Sequence, residues 1–136
     1  MKRSTVSTMI LCISGLLAIA IGIMILLSPV DFYAANQIPI NGNINLLSEV
    51  RASAGALLAS GLVITMGAFI PPLTFTSAIL ATVLYLSYGK SRISGIVIDG
   101  MRTASLLYAA AIELIAGCCC LYCLWQQSNP RLTPKG

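Results

Sequence analysis

Four apolar stretches, each long enough to cross a hydrocarbon core, leave this chain few ways to fold. They run over about 8–27 ("TMILCISGLLAIAIGIMILL"), about 50–70 ("VRASAGALLASGLVITMGAFI"), about 74–98 and about 104–125. A core of about 30 Å takes about 20 helical residues at 1.5 Å each. The spacing predicts an all-α, polytopic membrane protein: a four-transmembrane-helix bundle with its N- and C-termini on the same side. Hydrophobic residues make up 57% of the 136 and charged residues 9%, and the mean hydropathy is +0.91. That balance lies far from a soluble domain. The spans consume most of the chain, so residues 1–136 read as one membrane domain, with a loop over 28–48 and a tail over 126–136.

The first stretch has a secretory signal as its competitor. Lys2 and Arg3 supply a basic start. However, the apolar run exceeds the 7–15 residues of a signal core, and no small-x-small cleavage site follows in "LLSPVDFY". A retained first helix is expected.

The net charge of +4 is not a nucleic-acid patch, because its cations are scattered. Lys2, Arg3, Arg131 and Lys135 lie at the termini, and Arg51, Lys90, Arg92 and Arg102 belong to the opposite face. Four against four decides nothing by counting. The second set has Glu49 and Asp99 beside it in sequence, which suits a structural use. Both termini are therefore expected in the cytoplasm.

Pro29 ends the first span, Asn41-Gly42-Asn43 marks a turn in the long loop, and Pro71-Pro72 forces a tight hairpin. Phe32, Tyr33, Ile38, Ile40 and Ile44 suggest that the loop packs against the bundle or the membrane surface. Asp99-Gly100 reads as the last turn. Small residues recur every fourth position, as Ser14, Ala18 and Gly22 in the first span and Ala52, Ala56 and Ser60 in the second, where Gly55 and Ala59 stand beside them. Such stripes let helix backbones approach in lipid. They serve bundle packing, with a homo-oligomer face as the other use.

The chain has four acids, and one of them is out of place. Glu113 stands nine residues into the last span, about 14 Å from its start. A charge at that depth costs at least about 2.5–3.5 kcal/mol on insertion scales, so it faces the bundle interior and takes a partner. Arg51 and Arg92 are the candidates, and desolvation can instead keep the acid protonated. Tyr88 and Tyr85 precede Arg92 by four and seven residues, on its helical face. Each of the other charges has a structural alternative. Ser48 and Glu49 suit a helix start, Asp99-Gly100 a turn, Thr103 a cap, and Lys90 and Arg92 can reach the interface.

"LLSEVRASAGALL", "GKSRISGIVIDG" and a lone Glu in the last span together resemble the bacterial membrane family catalogued as domain of unknown function 4345. The layout is more weakly similar to DoxX-like four-helix proteins. The resemblance carries Glu49, Arg51, Ala52, Gly55, Arg92, Asp99, Gly100 and Glu113 onto the family pattern. It departs at Ala54 and Ala56, where the family tends to have Tyr and Gly, at Lys90-Ser91, inserted between Gly89 and Arg92, and at Met101-Arg102, in place of a proline region. It implies four membrane helices and the bacterial cytoplasmic (inner) membrane, but no reaction.

"GCCCLYC" invites a metal or redox reading. At 100° per residue, Cys118 lies about 140° from Glu113, Cys119 about 120° the other way, Cys120 about 20° and Cys123 about 80° off. Four thiols so spread cannot enclose one tetrahedral ion, and the chain has no histidine. Cys12, at similar depth in the first span, adds at most one thiol more. Apolar filling is the expected role, with no metal site and no cofactor.

Nucleophile elbow, phosphate loop and dinucleotide fingerprint are absent from the sequence, so no catalytic residue is assigned. The expectation is a binding or accessory membrane component. In it Glu49, Arg51, Arg92, Asp99 and Glu113, with Tyr88, form a buried network that braces the bundle or lines a pocket for a small lipidic or quinone-like ligand. Membrane lipids are its expected partners. The alternatives are an embedded enzyme acting on a quinone or lipid, with Glu113 moving protons, and a small proton- or ion-coupled oligomeric transporter.

Overall fold

The computed structural model describes residues 4–100 and 103–129. Lys2, Arg3, Met101, Arg102, Arg131 and Lys135 lie outside the described residues. Helix α1 spans Thr5–Leu27, α2 Pro29–Ala35, α3 Ile44–Phe69, α4 Thr74–Asp99 and α5 Ala104–Ser128. The protein is all-α, and four of these helices are long and apolar enough to cross a membrane. Their outward faces are apolar, with Ile13, Met24, Leu62, Val83 and Ile115 among the exposed side chains. Water would penalise such a surface, whereas lipid accepts it.

Two local features differ from the sequence expectation. Helix α3 starts about one and a half turns earlier than Ser48-Glu49. Asn43 caps it, its side chain accepting the Leu46 N–H at 3.1 Å, and an asparagine oxygen is among the best groups for an orphan first-turn N–H. The long loop also contains a helix. Pro29 occupies the first turn of α2, where its missing N–H costs nothing and its fixed φ suits the helix. Beyond α2, Gln37 adopts φ 60° and turns the chain towards Ile38 and Ile40. These pack with Ile25, Val50 and Ala54 in a core between α1, the loop and α3.

The long helices associate as two close pairs. In the first, α1 crosses α3 backbone to backbone. A Cβ on Gly61 would stand 2.8 Å from the Ile19 nitrogen and 2.9 Å from the Gly15 carbonyl oxygen. One on Gly22 would meet the Leu58 nitrogen at 3.0 Å. Ser14, Ala18 and Gly22 are buried as their stripe predicts. On α3 the stripe is the wrong face. Ala52 and Ala56 are exposed, and Gly55 has nothing within 4 Å of its would-be Cβ. The buried face is Val50, Ala54, Gly61 and Ile64. In the second pair, Leu114 of α5 lies over Gly89 of α4, and Leu86 of α4 lies over Gly117 of α5. Each leucine fills a hole left by a glycine.

Polar side chains join the pairs at one end. Thr74 Oγ1 donates to the Gly67 carbonyl at 2.9 Å and Ser77 Oγ to the Val63 carbonyl at 2.8 Å, both across the Pro71–Leu73 turn. Ser7 Oγ donates to Gln126 Oε1 at 3.0 Å, Ser14 Oγ lies 3.4 Å from Cys120 Sγ, and the Tyr85 hydroxyl donates to the Ser14 carbonyl. These bonds use the first half of α1 and α4 and the last half of α3 and α5. Without water such bonds are retained between helices. Leu11, Ile64, Ala78, Ala81 and Tyr85 form the core of the same half. In the described residues α3 and α5 share no Cα pair within 8 Å. The pairs are stitched at one end, and a cavity separates them in the other half.

A cavity with one ion pair between the helix pairs

The half away from these bonds holds a space, and the sequence places a charge pair in it. A cavity of ≈ 380 Å³ lies between the pairs, lined by α1, α3, α4 and α5, with α2 and the residues after it at its edge. The walls are mainly apolar and include Leu17, Ile21, Leu57, Leu84 and Leu106. Ser53, Tyr88 and Ile112 belong both to the lining and to the exposed surface. The cavity is therefore open to the surroundings of the bundle.

Among the described residues that line it, two are charged, Arg92 and Glu113. Arg92 Nε donates to Glu113 Oε2 at 2.8 Å, with the side chains 34% and 16% exposed. The hairpin of α4 and α5 brings them level. Arg92 stands seven residues before the end of α4 and Glu113 nine after the start of α5, so both lie about 10–14 Å from the α4–α5 turn. Among the described residues one hydrogen bond joins the pair, although guanidinium and carboxylate have the donors and acceptors for two in parallel. That leaves the Nη groups and Oε1 with capacity for a further partner.

Tyr88, one turn before Arg92, lines the same cavity and is in electrostatic range of Glu113, Arg92 and Tyr33. Tyr85 does not approach Arg92 through its hydroxyl, which is committed to Ser14. Phe32, Tyr33 and Asn36 contribute from α2, where Phe32 and Tyr33 meet edge to face at 5.6 Å and Asn36 Nδ2 donates to the Phe32 carbonyl at 3.0 Å. In the sequence Phe32 and Tyr33 read as loop packing, not as part of a site. Their signal was available: Ser28-Pro29 is a helix start, and Phe32, Tyr33 and Asn36 then share one face.

The expected buried network of five charges does not exist in the described residues. Glu49 and Arg51 are exposed on α3 and do not line the cavity. The phase of α3 explains this. Val50 is buried against α1, so its neighbours, 100° to either side, point away. Asp99 is exposed as the last residue of α4, about 10 Å along the axis from Arg92. Gly100 ends the helix with φ 95°. Of the five charges, Arg92 and Glu113 meet.

The cysteines diverge as their spacing predicts. Cys118 and Cys119 are exposed and Cys120 and Cys123 buried, all as free thiols. Among the described residues no group of three or more His, Cys, Asp or Glu side chains could hold a metal ion.

No curated protein and no solved structure matches the chain. The family described as "Domain of unknown function (DUF4345)" matches residues 6–124, a span that takes in α2, α3 and α4 whole, nearly all of α1 and most of α5, and the chain belongs to that family.

Proposed function

We propose that this protein is a binding component of the bacterial cytoplasmic membrane, with both termini cytoplasmic, which holds a small amphiphile in the cavity between its two helix pairs. The observation that carries this reading is the position of the Arg92–Glu113 pair in the wall of an open, apolar cavity. A pair used only to brace two helices is best served by closed packing around it, since water or a void beside it weakens the contact. Here the pair borders a space of ≈ 380 Å³, within the range of small-molecule sites. Apolar walls with a few convergent polar groups are the usual composition of such sites. The apolar part of a ligand would replace lipid along Leu17, Ile21 and Leu57, and its polar head would meet Arg92, Glu113 and Tyr88.

Filling the cavity tests this. Ala109 lines it from α5, and Ala109→Trp would occupy much of the space. The wild-type protein and this variant would be purified in maltoside detergent and their bound small molecules extracted and quantified by mass spectrometry. The expected result is an amphiphile near equimolar ratio in the wild type and depleted in the variant, with helix content unchanged. Equal recovery from both proteins would refute the reading.

A further inference from the structure

The charges in the cavity wall constrain the head of its occupant further, given the binding reading above. We infer that the occupant is an uncharged amphiphile whose head both donates and accepts hydrogen bonds, rather than an anionic lipid or a fatty acid. Among the described residues Arg92 is the one cation in the lining, and it is already compensated by Glu113 at 2.8 Å. A carboxylate or phosphate head placed against Arg92 would bring a second negative charge beside the Glu113 carboxylate, in a region of low dielectric where like charges repel strongly. A cationic head would meet Arg92 in the same way. A neutral head avoids both penalties.

The unused hydrogen-bonding capacity has a matching pattern. One Nε–Oε2 bond joins the pair, which leaves Nη donors on one side and the Oε1 acceptor on the other. An acceptor oxygen on the ligand suits the first and a hydroxyl the second. Tyr88, which lines the same space, carries a hydroxyl that can do either. A glycerol monoester has this chemistry, with hydroxyls and an ester carbonyl on an apolar chain. The exposed lining residues Ser53 and Ile112 mark openings through which such a chain extends beyond the cavity.

The test holds the chain constant and changes the head. Binding of radiolabelled 1-oleoylglycerol and of oleate would be measured on the purified protein in maltoside micelles, at alkaline pH where oleate is ionised. Ala109→Trp reports non-specific uptake. The wild type is expected to bind oleoylglycerol at least about tenfold more tightly than oleate, a difference of about 1.4 kcal/mol. Glu113→Gln, which uncovers the Arg92 charge, is expected to narrow or invert that ratio by strengthening oleate binding, and Arg92→Gln is expected not to. Tighter binding of oleate by the wild type would overturn the neutral-head inference and leave the binding reading standing. So would a ratio that Glu113→Gln does not move in a folded variant. Binding of neither probe above the Ala109→Trp background would overturn the binding reading and this inference with it.

Discussion

Removing one member of the Arg92–Glu113 pair is expected to cost more than removing both. Arg92→Gln leaves a carboxylate that is 16% exposed, about 14 Å along α5. Breaking a fully buried pair from one side costs about 3–5 kcal/mol, and an exposed pair contributes about 0–1 kcal/mol. With Arg92 34% exposed, the site falls between these limits, and about 2 kcal/mol is expected for each single variant. In Arg92→Gln/Glu113→Gln neither charge remains, and the two amides can hydrogen-bond to each other. Replacing a buried ion pair by uncharged groups is often close to neutral, so the double variant should lose less than about 1 kcal/mol. The coupling, the two single losses less the double, is then about 3–4 kcal/mol, well above the scatter expected for independent sites. Reversible unfolding in mixed SDS–maltoside micelles, followed by circular dichroism, gives the four free energies. Additive losses, with the double variant near 4 kcal/mol, would refute the claim that these side chains act on each other, and the cavity wall would need another description.

Other consequences concern packing. Gly61→Ala puts a methyl group 2.8 Å from a backbone nitrogen and 2.9 Å from a backbone oxygen of α1, so α1 and α3 must separate, at about 1–3 kcal/mol. Gly55→Ala, on the same helix with nothing within 4 Å, should be neutral or stabilise by up to about 1 kcal/mol. The same unfolding assay separates them, and equal losses would show that α3 has been given the wrong buried face. Asn43→Ala removes the acceptor for the Leu46 N–H and should cost about 1 kcal/mol. Hydrogen exchange should report that loss in the first turn of α3, and a loss spread evenly along the helix would contradict the cap. A thiol reagent in mild detergent, read by intact mass, should modify Cys118 and Cys119 well before Cys120 and Cys123, which are buried. Rapid modification of Cys120 would contradict its place against Ser14.

The four spans were legible because lipid imposes a length and a composition that few other environments share. Helix phase was harder to read. In water an apolar stripe marks the buried face, but here both faces of α3 are apolar or small, so periodicity gives little guidance. The four-residue stripe Ala52-Ala56-Ser60 was as good a candidate as the face that is buried. What decides is shape: Gly61 allows the crossing with Gly15, and Ala54 lies over Gly22. That complementarity involves two helices at once and is not written in either segment alone.

Choosing a partner for Glu113 was within reach of counting. Consecutive antiparallel helices around a short turn place residues level when they stand equally far from its centre. With α4 ending at Asp99 and α5 starting at Ala104, Arg92 lies about nine or ten residues before that centre and Glu113 eleven or twelve after it, a mismatch of about 3 Å along the axis. An extended arginine spans that offset easily. Arg51 sits on α3, which has no Cα within 8 Å of α5 in the described residues, and its side chain is exposed rather than in the cavity lining. Local hairpin geometry thus favours Arg92 before any packing is considered. Counting does not reveal that the hairpin bonds to α1 and α3 at one end and borders a cavity with them at the other. The serine, threonine and tyrosine bonds lie at one end and the cavity at the other. That arrangement determines whether Arg92 and Glu113 end as a brace in a closed core or as the polar wall of an open cavity.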